Sequence, residues 1–128
     1  MEKKKPSEQR RRQGRRNREK GKEGEREVCH LLGKLGIRAR RAQQFRGSVD
    51  SHDIDSDLHM VNMEVKWTRS PRFYEYMAQA RLDAGGRVPL VVWRGNGTAH
   101  KPARWLGVFD LEDLTALYEA LKAYYENR

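Results

Sequence analysis

Cysteine is nearly absent. Cys29 stands alone, so no internal disulfide can form, and a reducing cytoplasm fits that usage. His30, His52, His59 and His100 show no metal-ligand spacing with it, so no zinc site is expected around the thiol. Long apolar runs are missing too. No stretch approaches the ~20 apolar residues that span a bilayer, and the basic start has no apolar h-region, so neither a membrane helix nor a secretory signal is expected. No internal repeat is visible.

The chain is rich in charge, and unevenly so. Over 128 residues the formal net charge is +9. Residues 1–22 hold 11 Lys and Arg against three Glu, a net +8, whereas the remainder holds 16 against 15. A near-neutral domain therefore carries a basic arm. Such an arm attracts polyanions, because each phosphate it neutralises releases counterions. A purely solubilising tail is the plainer alternative. An anionic membrane surface fits less well, since the arm has no apolar face to insert. Residues 1–20 read as a low-complexity, disordered arm, and 21–128 as one folded domain.

The first apolar stripe is Val28, Leu31, Leu32 and Leu35, which predicts a helix from about Lys22 to Leu35 with Gly36 as its stop. Ile37 to Phe45 reads as an exposed strand and Asp53 to Asp57 as a brief one. From Met60 to Trp67, Val61, Met63, Val65 and Trp67 alternate with Asn62, Glu64 and Lys66, the period of a strand. Phe73, Tyr76, Met77 and Ala80 mark the inner face of a second helix, ended by Gly85-Gly86. Pro89 to Trp93 is a continuous apolar run, as in a strand covered on both faces. Gly95-Asn96-Gly97 marks a turn, and Trp105 to Phe109 a last strand. Asp110 can cap a final helix with Leu114, Leu117, Tyr118 and Leu121 on its inner face. This order predicts an α/β domain with a mixed central sheet flanked by helices.

Residues two apart on a strand share a face, so Glu64 and Lys66 point the same way. The carboxylate can bind a hard divalent cation such as Mg2+. The ammonium can position a water or stabilise charge on a phosphate. An ordinary same-strand ion pair is the simpler alternative. Asp53 lies just upstream, and a turn at Asp57-Leu58-His59 brings it back towards Glu64. Two carboxylates with a carbonyl, that of Val65 for example, make a magnesium site that keeps several waters. Asp50, Asp55 and Asp57 compete for the role of Asp53, Asp55 most closely. On the first helix Glu25 sits roughly 70° from the centre of the apolar stripe, Glu27 roughly 90° and Glu23 roughly 130°. Glu25 thus fits the border between core and solvent best. Arg38, Arg40, Arg41 and Arg46 can line a DNA groove, or protect an edge strand from pairing. Trp67, Trp93 and Trp105 read as core residues rather than base-stacking platforms.

Three stretches, Lys20–Val28, Arg46–Asp55 and Met63–Lys66, together with Gln79-Ala80 and Gly85–Arg94, resemble the PD-(D/E)xK nuclease superfamily. Within it they are similar to the Holliday junction resolvases of phage and archaeal type. The resemblance spans roughly residues 20–115. It implies a restriction-endonuclease-like core, Mg2+ or Mn2+ as cofactor, and a homodimer that nicks branched DNA such as a four-way junction. By position it makes Glu25 the helix acid, Asp53 and Glu64 the metal acids and Lys66 the catalytic lysine. Ser48 falls in a loop that approaches DNA, and Gln79 on a helix near the site. His52 stands where the superfamily nominally has Pro. A nuclease acting on flaps, ends or duplex DNA, and a binding protein without catalysis, are the other readings.

Overall fold

The structure is a computed structural model that describes residues 7–42 and 53–128. Arg46, Ser48, Asp50 and His52 lie outside the described residues.

The chain runs through helix α1 (Glu8–Lys34), strands β1 (Ala39–Arg41), β2 (Ile54–Ser56) and β3 (Val61–Trp67), and helix α2 (Phe73–Ala84). It continues through β4 (Val88–Arg94), β5 (Leu106–Val108), a short 3-10 turn (Leu111–Asp113) and α3 (Leu114–Glu126). The five strands form one sheet in chain order. β1, β2 and β3 are antiparallel neighbours, β4 is parallel to β3, and β5 returns antiparallel to β4. The parallel step needs a crossover, and α2 supplies it. This is the mixed sheet flanked by helices that the periodicities predict.

α1 and α3 cover one face of the sheet. There Val28, Ile37, Ile54, Leu58, Val61, Met63 and Val92 form the core, joined by Leu117, Ala120, Leu121 and Tyr124 from α3. Full burial of each large aliphatic side chain contributes about 1.5–3 kcal/mol. Gly24 allows α1 to approach closely, because a Cβ there would stand 3.2 Å from the Trp105 ring and 3.6 Å from Val65. The opposite face is covered by α2, whose Phe73 packs edge-on against Trp93 at 5.5 Å between ring centroids. Gly85 adopts the left-handed conformation that closes α2.

Three expectations change. α1 starts at Glu8 rather than near Lys22, so residues 8–20 are helical, not an irregular arm. Apolar periodicity senses only packed faces, and nearly every residue of that segment is exposed. Leu31 and Leu35 are also exposed, so the packed line of α1 runs through Gly24, Val28 and Leu32. On α3, Leu114 and Tyr118 are exposed, and the inner face belongs to Leu117, Ala120, Leu121 and Tyr124. Among the described residues no helix is long and apolar enough to cross a membrane.

Candidate functional site

β3 separates two environments residue by residue. Met63 and Val65 belong to the α1 side. Asn62, Glu64 and Lys66 alternate with them and meet α2. Asn62 is buried and satisfied: its amide donates to the Ala80 carbonyl at 3.2 Å, and it accepts from Arg87 at 3.1 Å. Two residues on, Glu64 is 3% exposed, and among the described residues its buried Oε1 has no hydrogen-bond partner. Two further, Lys66 holds its Nζ 5.6 Å from the centre of the Tyr76 ring. The Tyr76 hydroxyl is fixed by Thr68 at 2.8 Å, and Thr68 in turn accepts from the Trp93 indole at 2.9 Å. A strand end, a helix and a neighbouring strand thus set where the ammonium lies.

The register decides which aspartate faces Glu64. Ile54 pairs with Met63 across β2 and β3, and the preceding Asp53 donates its backbone N–H to the Met63 carbonyl at 3.3 Å, which brings its carboxylate to the Glu64–Val65 stretch of β3. The Val65 N–H donates to Asp53 Oδ2 at 2.8 Å and pins the carboxylate. Asp55, two residues along, lies instead against Arg40 at 3.8 Å, and Asp57 against Arg38 at 3.1 Å. Of Asp53, Asp55 and Asp57, therefore, Asp53 joins Glu64.

Glu23, Glu25 and Glu27 of α1 also part company. Glu27 turns away to bond Arg94 at 2.9 Å and the Trp105 indole at 3.1 Å. Glu23 pairs with Arg26 on the exposed surface. Glu25, with its side chain only 14% exposed, meets Arg41 of β1 at 3.4 Å. Burial raises the Glu25 carboxyl above its ordinary range, the charge of Asp53 adds to that, and Arg41 opposes it.

A further acid completes the cluster. Asp83 of α2 is buried and comes within hydrogen-bonding reach of the Glu64 carboxyl. Gln79, one turn earlier and itself exposed, donates to Asp83 Oδ2 at 2.8 Å. Gln79 thus reaches the site through Asp83. Sequence reasoning passed over Asp83, although a signal was present. It falls three residues after Ala80 on the packed side of α2, where an unpaired acid is costly.

The electrostatics follow from this crowding. Burial first, then the charges of Asp53 and Asp83, push the Glu64 carboxyl up to about 9, while Lys66 pulls it down. Burial also raises Asp53, against the Val65 N–H, Lys66 and a hydrogen bond with Glu64. Three carboxyls on two strands and a helix thus share the influence of one ammonium. Such a set disfavours full ionisation in the absence of further positive charge.

The donors fit a hard divalent cation. They are all oxygens, and one buried oxygen is left over. Among the described residues no group of three or more His, Cys, Asp or Glu side chains forms a ready-made metal cage.

Arg38, Arg40 and Arg41 follow one another along β1 and its approach, and each faces an acid: Asp57, Asp55 and Glu25 respectively. Arg38 and Arg40 keep 91% and 83% of their side chains exposed, so those pairs leave both cations accessible. No family model matches the chain, and no curated protein or solved structure matches it either.

Proposed function

We propose that the chain is a Mg2+- or Mn2+-dependent endodeoxyribonuclease of the PD-(D/E)xK kind, a Holliday junction resolvase that nicks branched DNA by phosphodiester hydrolysis. The observation that carries this reading is the pairing of Ile54 with Met63. It brings Asp53 to the Glu64–Val65 stretch and leaves Lys66 next on the same face as Glu64.

Asp53 and Glu64 would hold the ion, with the Val65 carbonyl beside them. When bound, a divalent cation lowers the pKa of a water and neutralises phosphate charge. Lys66 donates to the attacking water or to the phosphate oxygen on which charge grows. Tyr76, fixed through Thr68 and Trp93, holds that ammonium in place. Glu25 holds Arg41 and would orient water at the edge of the site. Asp83 acts on Glu64 rather than on substrate and is a positioning residue. Arg38 and Arg40 offer exposed charge for DNA phosphates, as would Arg46 and Ser48, and Gln79 lies at the rim. Two copies would suit the two-fold symmetry of a four-way junction. The free thiol of Cys29 suits a reducing cytoplasm.

The test is cleavage of a four-way junction by pure protein in Mg2+ and in EDTA, with a flap and a linear duplex alongside. Nicking that needs the metal and falls at least about 10³-fold in Glu64→Ala and Lys66→Ala is expected. Full activity in either variant refutes the assignment. A flap cut faster than the junction would move the substrate class, and binding without cleavage would favour a protein that only holds DNA.

A further inference from the structure

Among the described residues, the contact that the N-terminal half of α1 makes with the sheet is at its end, where the Lys20 ammonium lies 5.2 Å from the centre of the Trp67 ring. Residues 8–22 carry eight Lys and Arg against Glu8 and Glu19, and almost all are exposed. A helix that is polar all round is usually stabilised by many ion pairs or by something outside the domain. The ion pairs here are few and exposed, at 3.6–3.7 Å: Glu8 with Arg12 and Arg15, and Glu19 with Lys22. Exposed pairs of this kind contribute about 0–1 kcal/mol.

The cations are not spread evenly around the helix. Arg11, Arg15, Arg18 and Lys22 are spaced by four, three and four residues. At ~100° per residue they lie about 40°, 80°, 20° and 60° from Glu25, all to one side. Arg12 and Arg16 lie about 140° and 180° away, and Arg10 about 60° to the other side. The helix that carries Glu25 to Asp53 therefore bears a stripe of four cations in the same phase.

Two glycines border the stripe. Gly14 and Gly21 lie about 20° and 40° from Glu25 on its other flank. Glycine inside a helix costs about 1 kcal/mol relative to alanine, and nothing in the fold asks for it at either position. A Cβ at Gly21 would meet nothing within 4 Å, and one at Gly14 only the Arg18 guanidinium at 3.5 Å. Gly24, by contrast, is explained by Trp105. Bare backbone beside a row of cations suits close approach of a polyanion.

We propose that this stripe is a rail for the phosphates of a DNA duplex arm leading into the Asp53–Glu64 cluster. From Arg11 to Glu25 the helix rises about 21 Å. That is the length of about six base pairs at ~3.4 Å each. The rail takes its ligand class from the nuclease reading but concerns binding alone.

The experiment uses the full chain in EDTA, so that no cleavage intervenes, and measures affinity for a junction with duplex arms across a range of salt. The triple variant Arg11→Gln, Arg15→Gln, Arg18→Gln is compared with Arg10→Gln, Arg12→Gln, Arg16→Gln, which removes the same charge from other faces. Circular dichroism checks that both keep their helix. The stripe variant is expected to lose about tenfold or more in affinity near 0.15 M salt and to flatten the salt slope by about 3. The off-stripe variant should change the slope by less than about 1. Hydroxyl-radical footprinting should show about six protected base pairs on one arm, lost only in the stripe variant. Equal losses in the two variants overturn the rail. Unchanged DNA binding with loss of binding to phosphatidylserine vesicles also overturns it, in favour of a membrane surface. Wild-type protein that binds with this pattern yet cuts nothing in Mg2+ leaves the rail standing and refutes only the nuclease reading.

Discussion

Met63 and Glu64 are adjacent on β3 and almost equally buried, at 2% and 3% exposed, yet their surroundings are opposite. Met63 points into a core of aliphatic side chains shared by α1 and the sheet. Glu64 points the other way, into a pocket of other acids under α2. On the first face every neighbour favours burial. On the second, two carboxyls oppose the charge of a third, and one oxygen has no partner among the described residues. A sheet stable enough on one face can hold a costly arrangement on the other, and costly arrangements cluster where chemistry is done.

That contrast can be broken from either side. The largest effect on stability is expected at Met63. Met63→Ala should lower the unfolding free energy by about 3 kcal/mol in urea titrations, through lost transfer energy and a cavity. A loss under about 1 kcal/mol would mean that the α1 face is looser than its burial suggests.

Glu64→Gln tests the other face. The folded chain holds the Glu64 proton up to about 9, whereas the unfolded chain releases it near the ordinary 4.5. Between those values the folded state binds more protons, so the contribution of Glu64 to the stability of the metal-free protein is fully present below pH 4.5 and is lost as pH rises towards 9. The glutamine cannot ionise. In EDTA its melting temperature should therefore overtake that of the wild type as pH rises from 5 to 8.5, a gain of about 2 kcal/mol. Parallel curves for the two proteins would show that the carboxyl is not under strain.

The smallest effect is expected at Asp83. Removing its charge relieves Glu64, so Asp83→Asn should weaken cleavage about tenfold while making the fall in metal-free stability smaller and ending it at a lower pH. A change in cleavage without the pH shift would assign Asp83 to the substrate rather than to Glu64.

Much of this contrast is legible in the sequence because alternation is a local property. Val61 to Trp67 spell out which side chains share a face, so Glu64 and Lys66 could be paired without a structure. The choice between Asp53 and Asp55 is not local. It depends on where the chain turns between β2 and β3, and a slip of one residue would exchange the faces. Glu25 followed from helical phase, since the packed line of α1 lies close to where the leucines and Val28 put it. Asp83 needed the docking of α2, because an acid on a helix looks solvated until the sheet beneath it is known. The early start of α1 was hidden for a different reason: a helix with no buried face leaves no apolar rhythm to read.

Glu25, Asp53, Glu64 and Asp83 come from four separate stretches of chain, and no two of them are neighbours in sequence. Asp53 meets Glu64 through the antiparallel pairing of β2 with β3, Glu25 arrives on α1, and Asp83 arrives only with the crossover helix α2. Contacts between distant parts of a chain form late in folding, after the loops between them have closed. The Asp53–Glu64 pair is thus a short-range contact, whereas the full cluster of four acids exists only once both α1 and α2 have docked on the sheet. Any activity that depends on the cluster begins only when the whole domain is complete.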